Sequence, residues 1–164
     1  MKLTTRCWSA IGSGLWHFAQ HPDQRARLCS VENNDVLWVQ AVEEVLRFYA
    51  PVTMARQVIG ETDVAGCPMH PGDQTLVTFP AANHDPAAFD HPEIFDLDRE
   101  RNRHVAFGLG IHRCLGSNLA RLELTVALQE WIRAFPNYRL DPGGSTTWAS
   151  GQVRGPRNIP VILS

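Results

Sequence analysis

Apolar positions between Asp35 and Tyr49 fall on a helical repeat. Val39, Val42, Val45 and Leu46 share one face, which predicts a helix over about 35–50. Asp35 stands where an N-cap belongs, and Pro51 cannot continue the ladder. Upstream, Gly12–Ala19 reads as the end of a buried helix over 9–20, halted at His21-Pro22 because the residue before proline disfavours α geometry. Asp23–Cys29 reads as a short polar helix with Pro22 near its first position. A further long helix is expected over 114–135, with Leu119, Leu122, Val126 and Leu128 at apolar positions and Pro136 as its stop.

The middle of the chain differs in kind. Pro51, Pro68, Pro71, Pro80, Pro86 and Pro92 break any helical pattern. Arg56–Ile59 and Thr75–Phe79 are strand-prone, and Ala65-Gly66-Cys67-Pro68 and His70-Pro71-Gly72-Asp73 read as turns. Residues 83–102 are rich in Asp, His and Pro and predict an ordered but irregular surface meander. It runs on to residue 113 through a glycine-rich loop. Short strands are expected over Ser145–Ala149 and Ile159–Leu163. With no repeat or linker, the pattern predicts one unit over 1–164, mainly α with small β elements.

Composition narrows the function. The chain has 164 residues, 44% hydrophobic and 20% charged, with net charge −2. That is ordinary for a chain able to bury a core. No Lys/Arg block points to nucleic acid, and no apolar run has the length of a membrane span. Met1-Lys2-Leu3-Thr4-Thr5 lacks the apolar stretch of a signal peptide, so a cytoplasmic location is expected. Cys7, Cys29, Cys67 and Cys114 are far apart without a C-x-x-C pair, which speaks against a zinc site and a disulfide framework.

Cys114 stands apart from the other three. It lies in Phe107-Gly108-Leu109-Gly110-Ile111-His112-Arg113-Cys114-Leu115-Gly116, between a glycine-rich loop and a long helix. Orphan N–H groups at a helix start favour a thiolate, and glycines let backbone approach a flat partner. A buried cysteine beside a tight turn is the plain structural alternative. A cysteine nucleophile is disfavoured, because no base fits Cys114 and His112 lies only two residues away on the same loop.

The full pattern, with Phe107, Gly108, Gly110, His112, Cys114 and Gly116, resembles the haem-ligand signature of the cytochromes P450. Glu44-Val45-Leu46-Arg47 resembles that family's E-x-x-R, and it lies upstream in the family's order. Arg56 is similar to the arginine that contacts a haem propionate. Asn83-His84-Asp85-Pro86 and Phe89–Phe95 look like the stretch before the meander, and Asn102–Phe107 like the bacterial lead-in to the loop. The resemblance extends from residue 9 to the C-terminus and implies the C-terminal, haem-ligating portion of the fold.

The resemblance implies that Cys114 is the axial ligand of haem b. Phe107 would restrict water near the sulfur, His112 and Arg56 would meet propionates, and Gly108, Gly110 and Gly116 would shape the cradle. Glu44 and Arg47 would be structural, tied to the meander through Arg103 or its neighbours. Pro51, Val52, Thr53 and Met54 would face a small organic substrate. The implied activity is monooxygenation with electrons from a ferredoxin or flavin reductase. Arg113 and Arg121 are candidates for the docking patch, with an ordinary solvated helix face as the alternative for Arg121. Residues 1–8 are atypical. The family's acid–threonine pair is expected near Thr5 and Arg6, and Thr4-Thr5 has no preceding carboxylate. A truncated haem-binding remnant without monooxygenase activity is therefore the alternative function.

Overall fold

The computed structural model describes residues 4–33 and 35–163; Met1–Leu3 and the side chains of Thr4 and Thr5, where a proton-delivery pair was sought, lie outside the described residues. Helix α1 spans Thr4–Gln20, α2 Pro22–Cys29 and α3 Val36–Tyr49. Two strands follow, β1 (Thr53–Gln57) and β2 (Thr62–Val64), then β3 (Cys67–Met69) and β4 (Gln74–Thr78). A short α4 (Phe79–Ala82) leads into the irregular stretch, and α5 covers Ser117–Ala134. The tail holds β5 (Arg139–Leu140), β6 (Thr147–Ser150), β7 (Arg154–Asn158) and β8 (Val161–Ile162).

The strands form four antiparallel pairs rather than one sheet: β1 with β4, β2 with β3, β5 with β8, and β6 with β7. Helices α1, α3 and α5 enclose the core, with Phe18, Val42, Val45, Leu46, Leu124, Leu128 and Ile132 buried among them. Gly14 makes this close packing possible. A Cβ there would meet Leu128 at 3.1 Å and Val45 at 3.4 Å.

Several boundaries moved. Helix α1 starts at Thr4, ahead of the expected residue 9. Ala65 and Gly66, with φ of 52° and 84°, form the two-residue turn of a β2–β3 hairpin whose strands the turn signals alone did not reveal. Strand β7 was likewise unexpected, since its Gly155 and Pro156 argue against a strand. It holds because it is an edge partner of β6 and its hairpin leans on α1, where Trp148 meets Trp16 edge-on at 5.1 Å.

One buried polar group joins three helices. His17 is enclosed, with Nδ1 2.8 Å from Tyr49 Oη and Nε2 2.8 Å from Gln24 Oε1, and its ring stacks on Phe95 at 3.7 Å. The Gln24 oxygen can only accept, so Nε2 carries the proton and Nδ1 accepts from Tyr49. Burial pushes its pKa down from 6.5 to about 4, against the opposing pull of the Gln24 hydrogen bond. A folded pKa below the unfolded one means that stability is present above pH 6.5 and is lost as pH falls toward 4. The loss attributable to His17 is about 3 kcal/mol. We expect His17→Gln to flatten the fall in urea midpoint between about pH 7 and about pH 4.5. Parallel acid profiles for parent and variant would contradict this assignment.

Candidate functional site

The site is built outward from α3. Residues three apart on a helix share a face, so Glu44 and Arg47 meet. Arg47 Nε donates to Glu44 Oε2 at 2.8 Å and Nη2 to Oε1 at 2.7 Å, with both side chains fully buried. The remaining donors of Arg47 go to backbone: Nη1 to Asn83 O at 3.0 Å and Pro92 O at 2.8 Å, Nη2 to Ile94 O at 2.8 Å. Glu44 accepts in turn from Asp96 N at 2.9 Å, Arg99 Nε at 3.2 Å and Asn102 Nδ2 at 3.0 Å. The pair thus satisfies the polar backbone of an irregular segment that has no ladder of its own. Of the expected tie through Arg103 or its neighbours, Asn102 supplies one contact, and Arg99 rather than Arg103 supplies the cation. Arg103 is exposed, whereas the Asp96–Arg99 turn brings Arg99 back over Glu44.

Asn83 passes this order to the glycine loop. It is fully buried, donates Nδ2 to Arg47 O at 3.1 Å and accepts from Val105 N at 2.8 Å. Gly108 N then donates to Val105 O at 2.8 Å, and Cys114 N to Phe107 O at 2.9 Å, which closes the loop. Gly108 has φ 72° and Gly110 φ 62°, the left-handed geometry that side chains resist. A single 3-10 turn, Gly110–His112, carries the chain to Arg113.

Cys114 emerges from this loop as an exposed free thiol. It is not part of the helix that was expected to begin at 114. Helix α5 begins at Ser117, behind an N-cap at Gly116 that has no capping side chain, and Cys114 lies one turn ahead with its carbonyl accepting from Ser117 N at 3.3 Å. The reason is Gly116: it stands at the N-cap, so the first helical turn lies beyond it. Leu109, Ile111 and Leu115 flank the thiol and are 70%, 96% and 103% exposed. His112 and Arg113 are exposed on the same loop. The Cys7 thiol, by contrast, is pushed up to about 11 by burial and by its hydrogen bond with Glu123.

The other expected site residues are distributed around this loop. Arg56 lies on exposed β1. Its guanidinium reaches only Ala55 O at 2.9 Å and Met54 Sδ at 3.9 Å, with no carboxylate partner among the described residues. Thr53 and Met54 are half-buried, and Val52 is buried and bridges Val153. Arg121 is no free surface cation. It is held by Glu43, with Nε at 2.5 Å, and lies 4.7 Å over the Phe107 ring. Among the described residues no hydrogen bond joins Arg56 or residues 52–54 to the loop. Sequence reasoning missed Glu43, Asn83, Arg99 and His104 as determinants. Only the doubled Glu43-Glu44 offered a signal, since a second acid beside a structural one needs its own partner.

An exposed thiol on a loop that also bares three apolar side chains suits a large apolar group with anionic edges. A haem has these features, and the donor set fits it: one sulfur ligand, and Arg56 and His112 available for anionic edges. The loop and its anchor define a helical scaffold built to present one cysteine. Residues 34–146 match the family model for cytochrome P450. Cytochrome P450 105C1 of a Streptomyces species is 40% identical over 79% of this chain and 34% of its own length. The steroid C26-monooxygenase of Mycolicibacterium smegmatis is 36% identical over 98% of this chain and 39% of its own. The crystal structure of the hydroxylase HmtN superposes with a TM-score of 0.91 at 33% identity, covering 98% of this chain and 42% of that one. The chain belongs to the cytochrome P450 family. It spans about two-fifths of the length of these relatives and corresponds to a portion of their fold.

Proposed function

We propose that this chain supplies the haem-ligating portion of a monooxygenase that hydroxylates a small organic substrate. The observation that carries this reading is the exposed Cys114 thiol on a loop fixed from behind by the buried Glu44–Arg47 network. Haem b would be the cofactor, and when bound it would supply the chemistry of oxygen activation. Cys114 would hold the iron, and its thiolate would donate electron density. Arg56 and His112 would bind the propionates, Phe107 would limit water at the sulfur, and Gly108, Gly110 and Gly116 would keep the backbone close to the ring face. Val52, Thr53 and Met54 would border the substrate. Electrons would come from a ferredoxin or flavin reductase, with exposed Arg113 as the cation available for docking. Among the described residues no helix is long and apolar enough to cross a membrane, and a cytoplasmic setting fits four free thiols.

The direct test is the reduced, CO-bound absorption spectrum of the purified chain after haem reconstitution. A thiolate-type band supports the reading; a spectrum with no such band at full haem occupancy overturns it. The second reading, a haem-binding portion without activity of its own, draws on the exposure of Arg56, Ile111, His112 and Cys114. A group held there by this chain alone would face water, and productive oxygen chemistry needs a water-excluding cavity and controlled proton delivery. We therefore expect the 164-residue chain alone to consume reductant and release mainly peroxide. Reductant used against product formed, with surrogate ferredoxin and reductase, measures this. Tight coupling would assign a complete active site to the chain by itself.

A further inference from the structure

Glu43 and Glu44 are adjacent on α3, yet their carboxylates serve different partners. Glu44 is sealed against the meander, whereas Glu43 reaches the two ends of the cysteine loop. It accepts from His104 Nε2 at 3.0 Å, and from Arg121 Nε at 2.5 Å and Nη2 at 3.1 Å. His104 Nδ1 accepts the Ala106 N–H at 3.2 Å, so the imidazole is the neutral tautomer with its proton aimed at Glu43. Burial raises the Glu43 carboxyl, but the hydrogen bonds from His104 and Arg121 outweigh it and hold the group down at about 2.

The topology gives these contacts their consequence. His104 precedes the loop, Arg121 follows it on the first turns of α5, and Cys114 lies between. Phe107 is tied twice: its ring lies under the Arg121 guanidinium at 4.7 Å, and its carbonyl accepts the Cys114 N–H at 2.9 Å. A continuous path of contacts therefore runs from Glu43 through Arg121 and Phe107 to Cys114. The side chains of Glu43 and Arg121 are 21% and 28% exposed, unlike the sealed Glu44–Arg47 pair. Their loss should loosen the loop and leave the core standing.

We propose that Glu43 is a positioning residue for Cys114, fixing both ends of the ligand loop to α3 through His104 and Arg121 and setting the stance of the sulfur through the Arg121–Phe107 stack. This rests on the reading of Cys114 as the haem ligand. In the haem-loaded protein, Glu43→Gln can still accept one donor, but its own N–H groups oppose the other. The expected results are haem transfer to apomyoglobin about 10-fold faster, a growing share of CO complex without the thiolate-type band, and a parental urea midpoint for the haem-free chain. Arg121→Lys keeps the charge but loses the planar stack, and it should move the first two readouts the same way. Parental transfer rates and CO band in both variants, with the band lost in Cys114→Ser, would overturn the proposal and leave the ligand reading intact. Retention of the band in Cys114→Ser would remove the ligand reading itself. A Glu43→Gln chain that fails to fold would place Glu43 with Glu44 as a structural residue and likewise overturn the proposal.

Discussion

Glu44→Ala should prevent the chain from reaching its native fold. The substitution leaves the Arg47 guanidinium buried and uncompensated, at a typical cost of about 3–5 kcal/mol. It also withdraws the acceptor used by Asp96 N, Arg99 and Asn102, so the meander loses its anchor. Such a cost is a large fraction of the stability of an ordinary domain, about 5–15 kcal/mol, and the lost anchor adds to it. Arg47→Ala should be as severe, because it orphans the carbonyls of Asn83 and Pro92 and takes from the Glu44 carboxylate its bidentate partner. Replacing both residues with apolar ones, which often rescues a buried ion pair, should fail here for the same reason. Soluble yield and urea midpoint provide the measurement. A Glu44→Ala chain with the parental midpoint would show that the pair is dispensable.

Cys114→Ser should remove the thiolate-type CO spectrum completely, while serine at Cys7, Cys29 or Cys67 should leave it unchanged. The hydroxyl oxygen of serine is a harder and far less acidic donor than a thiolate, so the electronic signature of sulfur is lost even if haem still binds. The other thiols are separated from this role by position. Cys7 is half-buried on α1 with its thiol held protonated at neutral pH, Cys29 ends α2, and Cys67 opens β3 beside a hairpin turn. Persistence of the band in Cys114→Ser, with its loss in Cys67→Ser, would reassign the ligand.

Much of the helical frame was legible because its signals are local. Asp35 caps α3 through a 2.7 Å bond to Leu37 N, and Pro22 and Pro136 bound α2 and α5 as their fixed φ and missing N–H dictate. The ligand loop was legible for a different reason. A positive φ at Gly108 and Gly110 restricts residue choice so strongly that backbone geometry shows in the composition. The β2–β3 hairpin and strand β7 were not legible, although a strand at β6 was expected. Their residues have weak strand preferences, and pairing with a partner strand decides such segments.

The sequence by itself determined the helices, the single cysteine set among glycines, and the E-x-x-R pair on one face of α3. Each depends on residues within a turn or two of one another, where spacing alone fixes which side chains meet. Only the tertiary structure decided what those elements join. It gave the Glu44 contact to Asn102 and to Arg99 rather than to Arg103 itself, and tied the half-buried Arg121 to Glu43 and Phe107. It also placed Cys114 one turn ahead of α5, with its thiol outward. Those outcomes turn on how an irregular segment without a repeating ladder satisfies its buried polar groups. That satisfaction is found among residues distant in the chain, and no local pattern encodes it.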